Sequence, residues 1–155
     1  MERPLKMPTV TKDYYDWSNY KLCEGNYNSL TKYCTNSAYG MVDNLTELEP
    51  EDDAAWVNWG PAWRIPSNEQ FTELEENCVW KWAEKDGVEG RLVTGPNGNS
   101  IFIPATERYD YWSRTLNAGI PFYAYGRSFS QEDAVWWLMW APRNCAYYVR
   151  AVCVP

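Results

Sequence analysis

The sequence predicts an α+β fold, with two helices packed on one side of a twisted antiparallel sheet. Three features point there. A capped amphipathic segment at Ser67–Cys78 reads as a helix, a proline-led acidic segment at about 50–58 reads as a shorter one, and short aromatic or β-branched runs punctuated by turn residues fill the chain from Val79 to Val154.

Composition narrows the function classes. At 155 residues the chain fits one domain, residues 14–155, with a tail at 1–13 that orders only if it docks on something. A net charge of −7 is the wrong sign for neutralising phosphates, so nucleic acid is not an expected partner, and an acidic bilayer repels the chain. No run of apolar residues is long enough to cross a membrane, and the opening MERPLKMPTVT lacks the apolar core of a signal peptide. The absence of histidine removes the commonest general base and the usual zinc ligand together. Neither a metal nor another cofactor is expected.

Taken in order, Tyr14–Leu22 is aromatic enough for an early strand, and Glu24–Asn44 has loop chemistry, a long loop being either functional or pinned by aromatic plugs. In Leu48–Gly60, Pro50 suits a first helical turn, Glu51, Asp52 and Asp53 sit at the positive end of the helix dipole, and Gly60 closes it. The three carboxylates have a second reading as a metal or acid–base cluster, but with no histidine nearby helix-end stabilisation is the simpler one. Ser67 and Gln70 form a capping box, and Phe71, Leu74 and Cys78 make one apolar face, with Glu69, Glu73, Glu75 and Glu76 pointing to water.

Val79–Ala83 and Glu89–Thr94 read as a hairpin turning at Asp86-Gly87. The following GPNGN lacks the lysine and helix of a phosphate-binding loop and reads as a β-turn leading into a strand at Ser100–Ala105. Further strands are expected at Tyr111–Leu116, Ala124–Phe129, Val135–Trp140 and Tyr148–Val154. The five cysteines form no CxxC pair; most are expected as reduced packing residues, with a Cys78–Cys153 disulfide as the alternative.

The last third is the most unusual stretch. Between framework strands it concentrates aromatic rings with Arg127 and Arg143, and Trp, Tyr, Met and Arg dominate interface hot spots. Tyr123, Tyr125, Arg127, Trp137, Met139, Trp140, Arg143, Asn144, Tyr147 and Tyr148 are the candidate ligand contacts. Core packing is the alternative for each, and Phe129 and Trp136 are expected inside.

LEPEDDAAWVNWGPAWRIPSNEQFTELEENCVWKW, then GRLVTGPNGNSIFIPA, YWSRTLN and the closing VRAVCV resemble the Fibrobacter succinogenes major paralogous domain, from roughly Tyr14 onward. That family is similar to the C-type lectin-like fold shared with formylglycine-generating enzymes. The fold also carries the variable proteins of diversity-generating retroelements, which hold a framework constant and vary exposed residues near the C-terminus. Departures from the family pattern cluster between Asn117 and Tyr148, with Arg127 where an aliphatic residue is usual and Ala146 where glycine is.

The resemblance implies a non-enzymatic, diversified ligand-binding protein of a phage or gut bacterium. Its expected place is a virion or bacterial cell surface, and its partner a protein or glycan on another surface. Self-association into a homo-oligomer is a rival use of the aromatic stretch. Calcium-independent sugar binding is the lectin-like alternative, since the calcium-binding lectin signatures are absent. An oxidase using Cys145 and Cys153 lacks any matching motif around them, and no pair of acids stands out for glycosidase chemistry.

Overall fold

The computed structural model describes residues 14–105, 110–129, 131 and 137–153, and leaves the Trp137 side chain undescribed. Residues 1–13, the start of the strand expected at Val135, and Trp136 lie outside the described residues. The chain mixes helix with antiparallel sheet, as an α+β protein does. Helices α1 (Ala54–Trp59) and α2 (Asn68–Asn77) precede two three-stranded meanders. One is β2 (Val79–Lys85), β3 (Val88–Thr94) and β4 (Ser100–Pro104); the other is β5 (Asp110–Leu116), β6 (Tyr123–Ser128) and β7 (Trp137–Pro142). A two-residue strand β1 (Trp63–Arg64) pairs with β8 (Val152–Cys153), tying the end of the chain to its first half.

Helix α2 forms where its cap says it should. The Ser67 hydroxyl accepts from Gln70 N at 3.1 Å while the Gln70 side chain accepts from Ser67 N at 2.9 Å, so two otherwise orphaned donors are satisfied. The apolar face then meets both meanders: Phe71 packs with Val93, Ile103, Tyr111 and Phe129, with Leu74 and Cys78 alongside. Burying a phenylalanine this completely contributes about 1.5–3 kcal/mol. The hairpin β2–β3 turns on Asp86 and Gly87, both at positive φ, as a tight two-residue turn requires.

The acidic segment departs from expectation. Residues Pro50–Asp52 make a 3-10 turn, and the chain then extends at Asp53, whose carboxylate caps α1 by accepting from Ala55 N and Trp56 N. A side chain that caps a new helix necessarily interrupts the old one. Asp52 and Glu51 are held instead by Lys32, which lies 2.7 Å and 3.0 Å from their oxygens. These carboxylates therefore work as structural ties.

The long loop 24–44 is pinned by Tyr33. Its ring is buried against Leu116 and Ala124, and its hydroxyl donates to Asp52 at 2.8 Å while accepting from Glu49 N at 2.8 Å. Burial pushes the Tyr33 phenol up to about 12, so it keeps the proton this arrangement needs. The Asp43 carboxylate takes the Tyr33 and Cys34 amides at 2.7 Å and 2.9 Å, fixing the turn that carries Tyr33 at φ 60°.

Two expected strands are shorter or absent. Tyr14–Leu22 makes a single bridge from Tyr14 to Cys145 and then a 3-10 turn at Trp17–Asn19, because Asp16 accepts from Ser18 N and offers the backbone a local alternative to a ladder. The C-terminal segment bridges β5 at Tyr148 and reaches β1 only at Val152, so changing partners limits β8 to two residues. None of the five cysteines is in a disulfide, with Cys34 buried and Cys153 exposed.

Candidate functional site

Strands β6 and β7 carry most of the aromatic segment. Paired residues share a sheet face, as do residues two apart on one strand. The register therefore puts Tyr123, Tyr125 and Arg127 on one face beside Pro142, Trp140 and Leu138. On the other face β6 contributes only small residues, Ala124, Gly126 and Ser128. A Cβ at Gly126 would stand 2.6 Å from the Tyr111 carbonyl oxygen and 2.8 Å from Met139 Cε, so only glycine lets β5 and Met139 close around that position.

Helix α2 covers the first face only at the Arg127 end. Arg127 is 1% exposed, a buried cation. Its Nε donates to Glu75, its Nη1 to Asn68 Oδ1 at 2.7 Å and its Nη2 to Thr72 Oγ1 at 3.0 Å, with the guanidinium 5.5 Å from the Phe71 ring. Farther along, β7 occupies the outer position of its sheet, where Trp140 is 58% and Leu138 46% exposed. The sheet is thus fastened to the helix through β6 and offers apolar side chains to solvent from β7.

The ten candidate contacts divide accordingly. Trp140 is displayed, with half-buried Tyr125 directly across the ladder and half-buried Tyr123 two positions on. Met139 is half-buried on the opposite face. Tyr147 packs at a tilt against Trp112 with ring centroids 4.6 Å apart, and Tyr148 packs on Tyr111 at the edge of the α2 core. Trp137 belongs to β7, and its side chain lies outside the description.

Three candidates are corrected, each because the protein interior supplies partners. Arg127 is consumed by α2. Arg143 is buried, stacked 5.5 Å from Tyr20 and directed at the Lys32 and Tyr33 carbonyls. Asn144 is buried and donates to Tyr15 O at 2.7 Å, while Tyr15 N returns a bond to Asn144 O at 2.7 Å. Glu75, expected on a solvated helix face, is the counter-ion of Arg127. Phe129 is buried, as its framework role requires.

Reasoning from sequence missed other exposed groups. Tyr14 and Tyr15 are 65% and 56% exposed, on a segment that runs beside Asn144 and Cys145, just past the end of β7. Their neighbours were not legible because the pairing spans almost the whole chain. Phe122 gathers Tyr27, Tyr39 and Tyr123 within 5.4 Å and Trp17 at 6.4 Å, a cluster contributed by three separate segments.

Such a surface is suited to binding by ring stacking and apolar burial. Among the described residues no cluster of three or more acidic or cysteine side chains is arranged to hold a metal ion, and no helix is long and apolar enough to cross a membrane. Comparison with known protein families, curated proteins and solved structures finds no match.

Proposed function

We propose that the protein binds a macromolecular ligand through an aromatic surface centred on Trp140, displayed by a scaffold of the C-type lectin-like kind. The observation that carries this reading is the exposure of Trp140 and Leu138 on the outer strand of a sheet whose middle strand is locked to α2 through Arg127. A large exposed indole next to tyrosines is costly to leave in water and gains most when a partner covers it. Rigid aromatics also lose little rotamer freedom on binding. The similarity to variable proteins of diversity-generating retroelements supports a ligand on a cell or virion surface.

Trp140→Ala and Leu138→Ser, made singly in the full chain, are expected to weaken capture of that ligand at least tenfold without lowering thermal stability. Candidate ligands come from arrays of cell-surface proteins and glycans. Variants that bind the same ligand as tightly as the parent would sink the proposed surface. Diversification has its own test in the gene: a nearby repeat matching the codons for residues 122–148 except at adenines supports it, and the lack of any repeat removes it. Stacking of Trp140 on a sugar ring is the second reading, favoured by the same exposed indole. It predicts glycan retention that persists in a chelator.

A further inference from the structure

We infer that the protein also has a site for a small organic anion, in a pocket open to solvent and separate from the Trp140 surface. A cavity of about 430 Å³ lies between the segment around Tyr20, helix α1 and the β5–β6 pair. That volume lies within the range of small-molecule sites, and Leu48, Ile65, Trp112 and Leu116 give it a largely apolar wall. Tyr20 and Arg143 supply polar groups side by side.

Arg143 sets the chemistry of the cavity. It is 8% exposed, and among the described residues no carboxylate stands within ion-pair distance of it. Its Nη atoms reach only the Lys32 and Tyr33 carbonyls, at 3.3–3.5 Å, and its Nε has no partner. Bonds that long are weak, the Asp43 carboxylate acts on the guanidinium only through space, and a buried charge without a bonded counter-ion is costly. The acids that line the cavity are already engaged: Glu51 and Asp52 are tied to Lys32, and Asp52 to Lys21 at 3.1 Å as well.

An entering carboxylate lets the guanidinium exchange long neutral contacts for short charge-assisted ones. A flat apolar body attached to it lies against Trp112 and Leu116. The ligand class is therefore an aromatic or short-chain carboxylate. Nothing in this assignment depends on β7, since the Trp140 side chain does not line the cavity.

Phenylbutyrate and its uncharged amide are suitable probes, titrated into the isotope-labelled full chain while the Arg143 Nε–H and Trp112 indole signals are followed by NMR. The expected result is that phenylbutyrate shifts both signals and binds at least tenfold more tightly than the amide. Ala54→Phe, at an exposed position lining the cavity, is expected to abolish the shifts without unfolding the protein, and it keeps the test open if Arg143→Met does not fold. Trp140→Ala should bind phenylbutyrate as the parent does, which separates this site from the macromolecular surface. Equal affinity for acid and amide, unchanged binding in Ala54→Phe, or an Arg143 signal that contacts only a trapped water at every probe concentration would each overturn the assignment.

Discussion

The Asp53 carboxylate is fully buried and accepts the Arg64 Nε proton at 2.8 Å, while Arg64 Nη2 continues to the Leu48 carbonyl at 2.6 Å. The same carboxylate takes the Ile65 amide at 3.0 Å and the Ala55 amide at 2.9 Å, so one side chain joins the start of α1 to the end of β1. Asp53→Ala would leave Arg64 Nε and the Ala55, Trp56 and Ile65 amides without this acceptor. It is expected to lower unfolding free energy by about 3–5 kcal/mol in urea titration. A loss under about 1 kcal/mol would show that the carboxylate is dispensable.

Arg127 and Trp140 should behave as opposites. Arg127→Ala strands Glu75 and Asn68 beneath the sheet and is expected to cost about 3–5 kcal/mol. Trp140→Ala removes an exposed ring and should change stability by less than about 0.5 kcal/mol. Denaturant midpoints of the two variants, measured side by side, check the division between a fastened strand and a displayed one.

That division shows what a one-dimensional reading reaches. The cap of α2, the Asp86-Gly87 turn and the β2–β3 hairpin were legible because their partners lie within a few residues. The use of Arg127 was not, since its acceptors on α2 sit 52 to 59 positions away. An arginine amid tyrosines looks like a contact residue until the helix above it is in place. The break at Asp53 escaped for a related reason: three consecutive acids suit one helix start, and only Arg64 and Ile65 reveal that the third is claimed elsewhere.

Acid should weaken the loop anchor. Partial desolvation pushes the Asp43 carboxyl up, but the Leu45, Cys34 and Tyr33 amides outweigh it and hold the group below its ordinary 3.8. Asp52 is lowered in the same way, desolvation being outweighed by Lys32, Tyr33 and Lys21. A depressed folded-state value means that the unfolded chain binds protons first. The contribution is complete above the ordinary value and is lost as pH falls through the folded one. Unfolding free energy should therefore decline below about pH 4, and Asp43→Asn should flatten that decline. An unchanged slope in the variant would assign the acid loss to other groups.

Gly40 sits at φ +146°, and a Cβ there would lie 2.1 Å from the Leu30 carbonyl oxygen. The Leu30 amide and carbonyl bond to Tyr39 O and Met41 N at 2.8 Å each, so the backbone has little freedom to retreat. Gly40→Ala should destabilise by at least about 3 kcal/mol, combining an unfavourable dihedral with overpacking. Gly25→Ala, at φ +81° with open space around it, should cost only about 1–2 kcal/mol. Thermal melting of the pair measures the difference.

The short ladder between Trp63–Arg64 and Val152–Cys153 governs the order of events during synthesis. On the ribosome, Trp63 and Arg64 wait for Val152 and Cys153 before this seam can close, and long-range pairing of that kind slows folding. Translation must pass through the Trp140 region first. Substitutions there are thus tested for solubility in a nascent chain that has not yet been sealed.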